Sequence, residues 1–550
     1  MAEIKRKELF ARPASGLVRE ISIFRATFFD LACAIGNPGI YLAYMGTAGF
    51  ALVTFGGMPI WSWVLLIAGL FAIPFILAFT GLTTAMPRTG GDYIYTSRIL
   101  HPFLGWIEGW FLMWASISIS SYNWWATLYN FGIMAKTEAV VNPSYSGLAT
   151  WIFQPNTLLE LGVIEFALVL GCCLLPTRWY HRLISWTMVI AVVATMLLLV
   201  PLVGFSQSTF VSNFQAQSGM TEAQVMSAAQ SAGFSPNYIS VPAIAAIIGY
   251  AIFAFWGFNF SAYMAGELKG NLTKNVSISL GSAIFMCVFL STVWVYPLYS
   301  TFGYNFTNAW SYLFWSGSSS TPMGVAPMTT LLTALGNPSM TWYLLIVGFP
   351  VLILFNFILN LAYVGLLTRV MFAQTMDRYW PKALSTVGRR THQPHFLILL
   401  WAILGYVWLV FEVESFGPGV GIYYGVLLGF LAMLFPAINA IAIKYRRPDL
   451  YELVPTWMRK KVLGLPVMAW FGIIWLIFLI PSYIIAEFWP MYSSFVSVPI
   501  SGFLGIIYST GLISVAFFLV VGVAWYFISR AIQRRRGIDV DSLFKQIPPE

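Results

Sequence analysis

The first long apolar run of the chain, residues 28–55, is interrupted near its middle by four successive poor helix formers, Gly36, Asn37, Pro38 and Gly39. A side chain such as Asn37 caps the first turn of a helix well. Pro38 suits the first helical position, because its missing N–H would have no helical partner there anyway. The pattern predicts one half-helix that ends near Gly36 and a second that begins at Pro38.

Two backbone N–H groups, those of Gly39 and Ile40, are expected to lack a helical partner at the start of the second half-helix. Gly39 has no side chain and lets a ligand approach closely, and a helix N-terminus favours a negative charge. The natural ligand of this break is therefore a carboxylate.

A second apolar run contains FAFWGFNFSAYMAGE at 253–267, which is interrupted by Gly257, Asn259 and Ser261. This break would release the carbonyls from Phe255 to Gly257, which can accept hydrogen bonds from an ammonium group. A carboxylate at one break and an amine at the other describe an amino acid. The alternative is a pair of simple kinks, because isolated Gly and Pro are common in membrane helices. Two matched interruptions favour a binding site.

The composition is that of a protein that crosses a membrane many times. Of 550 residues, 59% are hydrophobic and 9% are charged, whereas soluble domains carry about 25% charged residues. Apolar windows of about 20 residues are long enough to span a bilayer. Twelve such windows lie near residues 28–48, 59–85, 104–135, 158–176, 183–205, 241–266, 277–302, 340–372, 395–412, 418–443, 466–488 and 502–528.

The net charge of +9 reflects where the basic residues lie along the chain. Lysines and arginines cluster before the first window and after every second one, so that only Lys136 falls on the other side if the windows alternate. This distribution follows the positive-inside rule. It predicts a plasma-membrane protein with cytoplasmic termini and argues against nucleic-acid binding. The charged N-terminus and long first apolar run argue against a cleavable signal peptide.

The cysteines and histidines give no sign of a metal, a cofactor or an enzyme. All four cysteines fall in apolar windows and are expected to be small buried residues rather than a disulfide framework. The four histidines fall in loops or at the ends of windows, without metal-ligand spacing. A membrane enzyme would place such groups together near an interface, and no filter motif indicates a channel.

The breaks fall in the first and sixth windows, which are the matching positions of two five-helix repeats. An odd number of spans per repeat inverts one repeat relative to the other. The predicted organisation is an N-terminal tail (1–25), a first repeat (26–205), an extracellular loop (206–240), a second repeat (241–445), helices 11 and 12 (446–529) and a C-terminal tail (530–550). Within the loop, residues 220–234 are expected to form a short helix, since Thr221 can cap it.

Motifs on the predicted cytoplasmic side carry a family resemblance. The stretch MPRTGGDYIYTSRILHPFLGWIEGW at 86–110 holds a characteristic set of residues, Pro87, Gly90, Gly91, Tyr93, Tyr95, Gly109 and Trp110. The stretch TRVMFAQTMDRYWPKAL at 368–384 adds an Arg, an Asp and a Pro in order, and the sixth window ends with Glu267 and Lys269. Together, over about residues 25–445, these motifs resemble the amino acid–polyamine–organocation superfamily of permeases.

The resemblance implies an all-α polytopic membrane protein with the LeuT-type 5+5 inverted repeat, two additional C-terminal helices and alternating access. It implies a substrate site where the first and sixth helices unwind. The implied carboxylate site comprises Ile35, Gly36, Gly39 and Ile40, and the implied amine site and gate comprise Phe253, Phe255, Trp256 and Gly257. Phe253 stands at the position of an aromatic gate in relatives.

The sequence also departs from the family pattern. Asn37 and Pro38 stand where relatives have Gly-Ser-Gly or similar, so Asn37 either contacts the ligand or only caps the helix. Asn259 is included with the substrate-binding candidates at the second break. Some relatives carry a lysine in the fifth helix in place of a coupling cation, but Ala191 lies near that position here.

Ionisable residues within membrane helices are rare and are treated as functional candidates. Asp30, Glu108 and Glu267 lie near the predicted cytoplasmic ends of windows. They either form an inner gate with Arg88, Arg98 or Lys269, or are solvated helix ends. Tyr93 is a further gate candidate.

Three polar residues lie deeper in the predicted spans. Glu165 is expected to bond a neighbouring helix, with proton transport as the alternative. Asn356 and Asn360 are one turn apart on the eighth window, which flanks a cation site in sodium-coupled relatives. Interhelical hydrogen bonding is the favoured explanation for both.

The sequence therefore predicts a secondary amino acid transporter, coupled to protons or working by exchange, with Na+ coupling still open. The apolar surroundings of the breaks favour a neutral amino acid, because Asp30 is the only carboxylate near them. Asn123, Tyr423 and Tyr424 are weaker candidates for the pocket of the substrate side chain. The alternatives are a polyamine or organic-cation transporter and a transporter-like amino acid sensor, and the oligomeric state is open.

Overall fold

The structure, a computed structural model, describes residues 17–34, 54–55, 58–234, 257–315, 317–416, 418–488, 511–538, 540 and 544. This part of the chain is largely helical. Its strands form two short antiparallel hairpins, Thr54–Phe55 with Met58–Pro59 and Lys461–Val462 with Leu465–Pro466.

The first half of the chain contains ten helices among the described residues. They are α1 (Ile23–Cys33), α2 (Ile60–Ala85), α3 (Gly91–Ile99), α4 (Pro102–Ala139), α5 (Tyr145–Ile152), α6 (Pro155–Cys173), α7 (Thr177–Leu197), α8 (Gln207–Ser218), α9 (Glu222–Ser231) and α10 (Leu272–Phe302).

The second half adds ten more within the same described ranges. They are α11 (Tyr304–Trp315), α12 (Thr329–Gly336), α13 (Thr341–Phe349), α14 (Phe355–Met376), α15 (His395–Phe411), α16 (Pro418–Arg446), α17 (Pro448–Tyr451), α18 (Thr456–Arg459), α19 (Val467–Phe488) and α20 (Gly511–Arg535). Two π-helical turns, Pro350–Leu354 and Glu412–Phe416, occur within this half.

Eight helical stretches of the described chain are long and apolar enough to cross a membrane. Most predicted windows coincide with helices to within a few residues, as 59–85 does with α2 and 395–412 with α15. The first and sixth windows lie largely outside the described residues. The arrangement of twelve spans in two inverted repeats therefore stays a prediction.

Helix α4 runs through the middle of the bundle. Its 38 residues correspond to about 57 Å at 1.5 Å per residue. The helix begins at Pro102, and the ring of His101 accepts the N–H of Phe103 at 3.1 Å. Most of its residues are buried, including the polar run from Ser116 to Ser121. This polarity suits a helix enclosed by other helices, whereas α6 and α7 expose large apolar side chains as lipid-facing helices do.

Four short helices cover the bundle on the predicted extracellular side. The predicted helix at 220–234 is confirmed as α9, and its start is a capping box between Thr221 and Gln224. Helix α9 packs against α11, and α8 packs against α12. An aromatic cluster joins α8 to α11 and to the end of α10, formed by Phe205, Phe210, Phe214, Phe302, Phe306 and Trp310.

Candidate functional site

The first break begins where α1 ends. The N–H of Ala34 bonds to the carbonyl of Asp30 at 3.1 Å, and the backbone then turns to an extended conformation with ψ 110° at Ala34. The half-helix thus ends at Cys33, before the predicted end near Gly36. The predicted carboxylate-binding residues lie outside the described residues, and their role stays a prediction: Ile35, Gly36, Asn37, Gly39 and Ile40.

The sixth segment is interrupted as predicted. Residues 257–259 form a turn, followed by two 3-10 turns, Phe260–Tyr263 and Ala265–Glu267, instead of an α-helix. The carbonyl of Gly257 already accepts the N–H of Phe260 at 3.1 Å. Asn259 is buried, and its amide oxygen has no hydrogen-bond partner among the described residues.

Three further candidates for the amine site and gate lie outside the described residues, and their roles stay predictions: Phe253, Phe255 and Trp256. The described part of the sixth segment thus begins at Gly257.

The two breaks meet at Gly257. Its φ of +99° lies in a region that L-residues with a side chain rarely adopt. A β-carbon here would overlap the carbonyl of Cys33, the last residue of α1. Only glycine allows the sixth segment to approach the end of the first half-helix this closely.

Asp30 joins the same two segments. Its carboxylate accepts the N–H of Ser261 at 2.6 Å and the Ser261 hydroxyl at 2.6 Å, and that hydroxyl lies 3.2 Å from the hydroxyl of Ser279. The expectation that Asp30 is a solvated helix end or pairs with a basic residue is wrong, because it is fully buried and bonds the first turn of the 3-10 segment. Carboxylates suit such free N–H groups.

A third tie lies nearer the side that carries the basic residues, called the basic side below. The N–H of Ile21 bonds to the carbonyl of Glu267 at 3.0 Å, and the N–H of Lys269 bonds to the carbonyl of Ile21 at 2.9 Å. The chain before α1 and the end of the sixth segment are therefore joined by backbone hydrogen bonds.

Glu267 belongs to a buried ion pair on the basic side. Arg369 of α14 donates to its two carboxylate oxygens at 3.0 and 2.9 Å and to the amide oxygen of Gln393 at 3.2 Å. The predicted gate role of Glu267 stays a prediction. The predicted partners, Arg88, Arg98 or Lys269, are wrong, because α14 brings Arg369 to Glu267 from 102 residues away along the chain.

A second buried ion pair joins α3 to the end of α14. Arg98 donates to both carboxylate oxygens of Asp377, at 2.7 and 2.9 Å, and the Tyr93 hydroxyl donates to the same carboxylate at 2.6 Å. Two-point bonds of this kind are strong and directional. Tyr93 is thus part of a closed polar network, and Asp377 is a member that was not among the predicted site residues.

The glycine pair of the motif at 86–110 receives the sixth segment. The N–H of Gly90 bonds to the carbonyl of Tyr263 at 2.9 Å. The Tyr263 ring lies where a β-carbon of Gly91 would stand, and both glycines have positive φ. The Tyr263 hydroxyl donates to Asp92. These contacts and the two ion pairs lie together on the basic side of the bundle, and are called the inner gate below after the role predicted for them.

A family model described as amino acid permease matches residues 26–512. The chain belongs to the amino acid permease family. An uncharacterized amino-acid permease of Schizosaccharomyces pombe is 23% identical over 286 residues, which is 50% of this chain and 47% of the relative. The Asc-type amino acid transporter 1 of Mus musculus is 25% identical over 281 residues, 50% of this chain and 48% of the relative. The chain thus spans about half the length of these curated relatives.

Helix α14 of the permease carries the two asparagines predicted near a cation site. Asn360 donates to Glu165 of α6 at 3.2 Å, which confirms that Glu165 bonds a neighbouring helix. Asn356 instead donates to the carbonyl of Leu352 in its own helix at 2.7 Å, beside a second donor, Asn130, at 2.7 Å. The π-helical turn there displaces the backbone and leaves this carbonyl open to side chains.

The weaker pocket candidates of the permease are only partly described. Asn123 donates to the carbonyl of Ile119 at 2.6 Å within α4. Tyr423 and Tyr424 lie in α16, and their side chains are outside the described set. The four cysteines are free, and no group of three metal-binding side chains occurs among the described residues.

Sequence reasoning missed four members of the inner gate: Asp92, Tyr263, Arg369 and Asp377. All four lie within motifs that were recognised as family signals. The spacing of residues within each motif could not predict which arginine pairs with which carboxylate. Each of these ion pairs joins segments that are far apart in sequence.

Proposed function

We propose that this permease is a secondary active transporter that moves amino acids across the plasma membrane by alternating access. Its basic side and both termini would face the cytoplasm. The observation that carries the proposal is the contact between the two breaks, where Gly257 lies against the carbonyl of Cys33. Non-helical backbone at membrane depth is stable only when it is buried in protein or lines a cavity. The names of the relatives, among them an amino acid transporter, support the same substrate class.

In this proposal the substrate carboxylate binds the N–H groups after the first break, at Ile35, Gly36, Asn37, Gly39 and Ile40. Its amine binds near Phe253, Phe255, Trp256 and Gly257, with Asn259 as a further acceptor. The buried, unpartnered amide oxygen of Asn259 supports this role, because a buried acceptor without a donor is costly unless a ligand supplies one.

The substrate is a neutral amino acid rather than a polyamine. A second amine would need a free carboxylate near the breaks. Asp30 is the described carboxylate nearest to them, and both of its oxygens are bonded by Ser261. The bonded carboxylate argues against the organic-cation alternative.

The inner gate supports alternating access. Two buried ion pairs and the Tyr263 contacts hold the basic side shut, and this side must open to release substrate into the cytoplasm. The proposal also includes the ten-helix inverted repeat. Transport is coupled to H+ or works by exchange, rather than being coupled to Na+.

Thermal unfolding of the purified protein tests the binding claim. A ligand at a hundred times its dissociation constant stabilises the folded state by about 2.7 kcal/mol. The panel is the standard amino acids with putrescine, agmatine and γ-aminobutyrate. Stabilisation by one neutral class, lost in the matching amide or decarboxylated amine, supports carboxylate capture, and stabilisation by amines alone contradicts it.

Uptake into proteoliposomes then separates a transporter from a sensor, which would bind the same amino acid without moving it. The variant Gly39→Val is expected to fold but not to bind, because its side chain would block the predicted carboxylate site. Unchanged affinity in Gly39→Val would contradict the role of the first break.

A further inference from the structure

Two buried carboxyl groups lie on a pair of packed helices, α3 and α4, beside the inner gate. Asp92 lies in the first turn of α3 and Glu108 in α4, with 3% and 0% of their surfaces exposed. One oxygen of Asp92 accepts the Tyr263 hydroxyl, and the other has no partner among the described residues. Glu108 has no hydrogen bond of ordinary geometry in that part of the chain, although the Thr96 hydroxyl lies close enough to interact with its carboxyl group. Glu108 lies within electrostatic range of Asp92.

Ion pairs among the described residues join Arg98 to Asp377, Arg369 to Glu267 and Arg447 to Asp449, and neither Asp92 nor Glu108 belongs to one of them. Three other segments bring titratable groups to α3: Tyr263 from the sixth segment, Glu108 from α4 and Asp377 from the end of α14. Within α3, Arg98 pairs with Asp377, and Tyr95 bonds Thr83 of α2. Helix α16 contributes an uncharged amide, Asn439, which bonds Thr96.

Two carboxylates in electrostatic range in a buried site cannot both be ionised without a cation. Burial raises the pKa of Asp92 well above its usual range, and the hydrogen bond from Tyr263 opposes this rise. Asp92 already accepts a hydrogen bond from the Tyr263 hydroxyl, which favours its ionised form. The neutral member of the pair is therefore Glu108.

We propose that Asp92 and Glu108 together bind one exchangeable proton, carried by Glu108, and that this proton holds the inner gate closed. The inference rests on the proposed function, because it requires the basic side to open during transport. When Tyr263 leaves Asp92 and water enters, the O–H bond of Glu108 breaks. The proton passes to water on the basic side, the bonding electrons stay on the carboxylate, and Tyr263 keeps its own proton.

The sign of the pH effect follows from linkage. The closed gate holds the proton more tightly than the open gate, in which the carboxyls are hydrated. Low pH on the basic side therefore favours the closed gate, and this preference is lost as pH rises through the closed-state pKa of the pair. A proton that must dissociate before opening slows opening up to about tenfold per unit of falling pH.

The experiment uses the full-length protein in lipid nanodiscs and in proteoliposomes. Infrared spectroscopy follows the C=O stretch of protonated carboxyls across pH, and amino acid exchange is measured at equal pH on both sides. We compare the wild type with Glu108→Gln and Asp92→Asn, which keep the shape of the two side chains, and in Asp92→Asn the amide oxygen can still accept the Tyr263 bond. Glu165→Gln is the matched control, because Glu165 is also buried but bonds Asn360.

We expect the titrating carboxyl absorbance of the wild type to lose one component in Glu108→Gln, and that component to move to another pH in Asp92→Asn. Glu165→Gln should keep this component and lose a separate one, because Glu165 is itself a buried carboxyl. Exchange by the wild type should slow with falling pH, and exchange by Glu108→Gln should not. A carboxyl titration that is identical in wild type and Glu108→Gln, or equal pH dependence of exchange in the two, overturns the proposal. If the wild type exchanges no amino acid, the proposed function fails, and the infrared band still decides the proton site.

Discussion

The carbonyl oxygen of Cys33 occupies the position that a β-carbon of Gly257 would need. Cys33 ends the first half-helix, and Gly257 opens the described part of the sixth segment. The contact shows that the end of the first half-helix and the interruption of the sixth segment lie together in the molecule. Each break alone has the sequence of a simple kink, and this contact supports the proposed shared binding site.

Gly257→Ala should disrupt this contact. The positive φ at Gly257 costs a residue with a side chain about 1–3 kcal/mol, and the clash with Cys33 forces the segments apart. We expect a lower unfolding temperature and loss of amino acid binding in the thermal panel. Gly281→Ala in α10 is the control, since a β-carbon there meets open space. Wild-type binding by Gly257→Ala would mean that the close approach is not needed for the site.

The bond between Asp30 and Ser261 should make a measurable contribution of its own. Asp30→Ala leaves the Ser261 N–H without an acceptor, and hydrogen bonds to charged groups contribute about 1.5–3 kcal/mol. A double-mutant cycle with Ser261→Ala isolates only the bond from the Ser261 hydroxyl, because alanine keeps the N–H, and should give a coupling energy of about 1 kcal/mol. Ser279→Ala is the comparison, because it removes a hydroxyl that lies 3.2 Å from the Ser261 hydroxyl and donates to the Val276 carbonyl, but keeps both bonds between Ser261 and Asp30. Strict additivity of Asp30→Ala and Ser261→Ala would show that the two residues do not act together.

Asp377→Asn should open the inner gate at a cost to stability. Removing one partner of a buried ion pair costs about 3–5 kcal/mol, and here Arg98 would be left buried. We expect a large fall in the unfolding temperature and faster hydrogen exchange in α3. Asp449→Asn removes the same type of partner from Arg447, but the Asp449 side chain is 60% exposed, so its cost should stay below about 1 kcal/mol. Similar losses in the two variants would contradict a special role for the Arg98 pair.

Lys136 should hold the loop between α11 and α12 against the bundle. Its ammonium donates to the carbonyl of Met323 at 2.8 Å, and Met323 has a φ of +53° that the loop must maintain. Lys136→Met keeps the apolar stem and removes the bond, so we expect faster hydrogen exchange around residues 320–328. Thr221→Ala, which weakens the cap of α9 instead, should leave that stretch unchanged. Equal exchange in wild type and Lys136→Met would exclude the tie.

Local signals predicted the local features well. The cap at Thr221 and the helix after it were predictable because the capping box lies within four residues. The glycines and asparagine of the sixth segment predicted a break, because no other residue types tolerate that backbone so readily. The end of α1 was misplaced by three residues, since Gly36 marks a poor helix former and does not mark where the chain first turns away.

The partners of the buried charges could not be predicted in the same way. Glu267 lies two residues from Lys269 in sequence, yet it pairs with Arg369, and Arg98 pairs with Asp377 across 279 residues. Such choices depend on which helices pack together, and periodicity does not encode them. The sequence did mark Lys136 as the exception to the charge distribution, and its bond to Met323 gives that exception a structural reason.

The first half-helix and the sixth segment are joined at three levels: Cys33 against Gly257, Asp30 with Ser261, and Ile21 with Glu267 and Lys269. Because the two segments are joined at both ends and between them, we expect them to move together. In the proposed transporter, a displacement of the end near the breaks would therefore reach the basic side about 16 Å away, over the eleven residues of α1. The inner gate lies at the end of α1 that is farther from the breaks. A small rotation of α1 about the breaks would displace this end most.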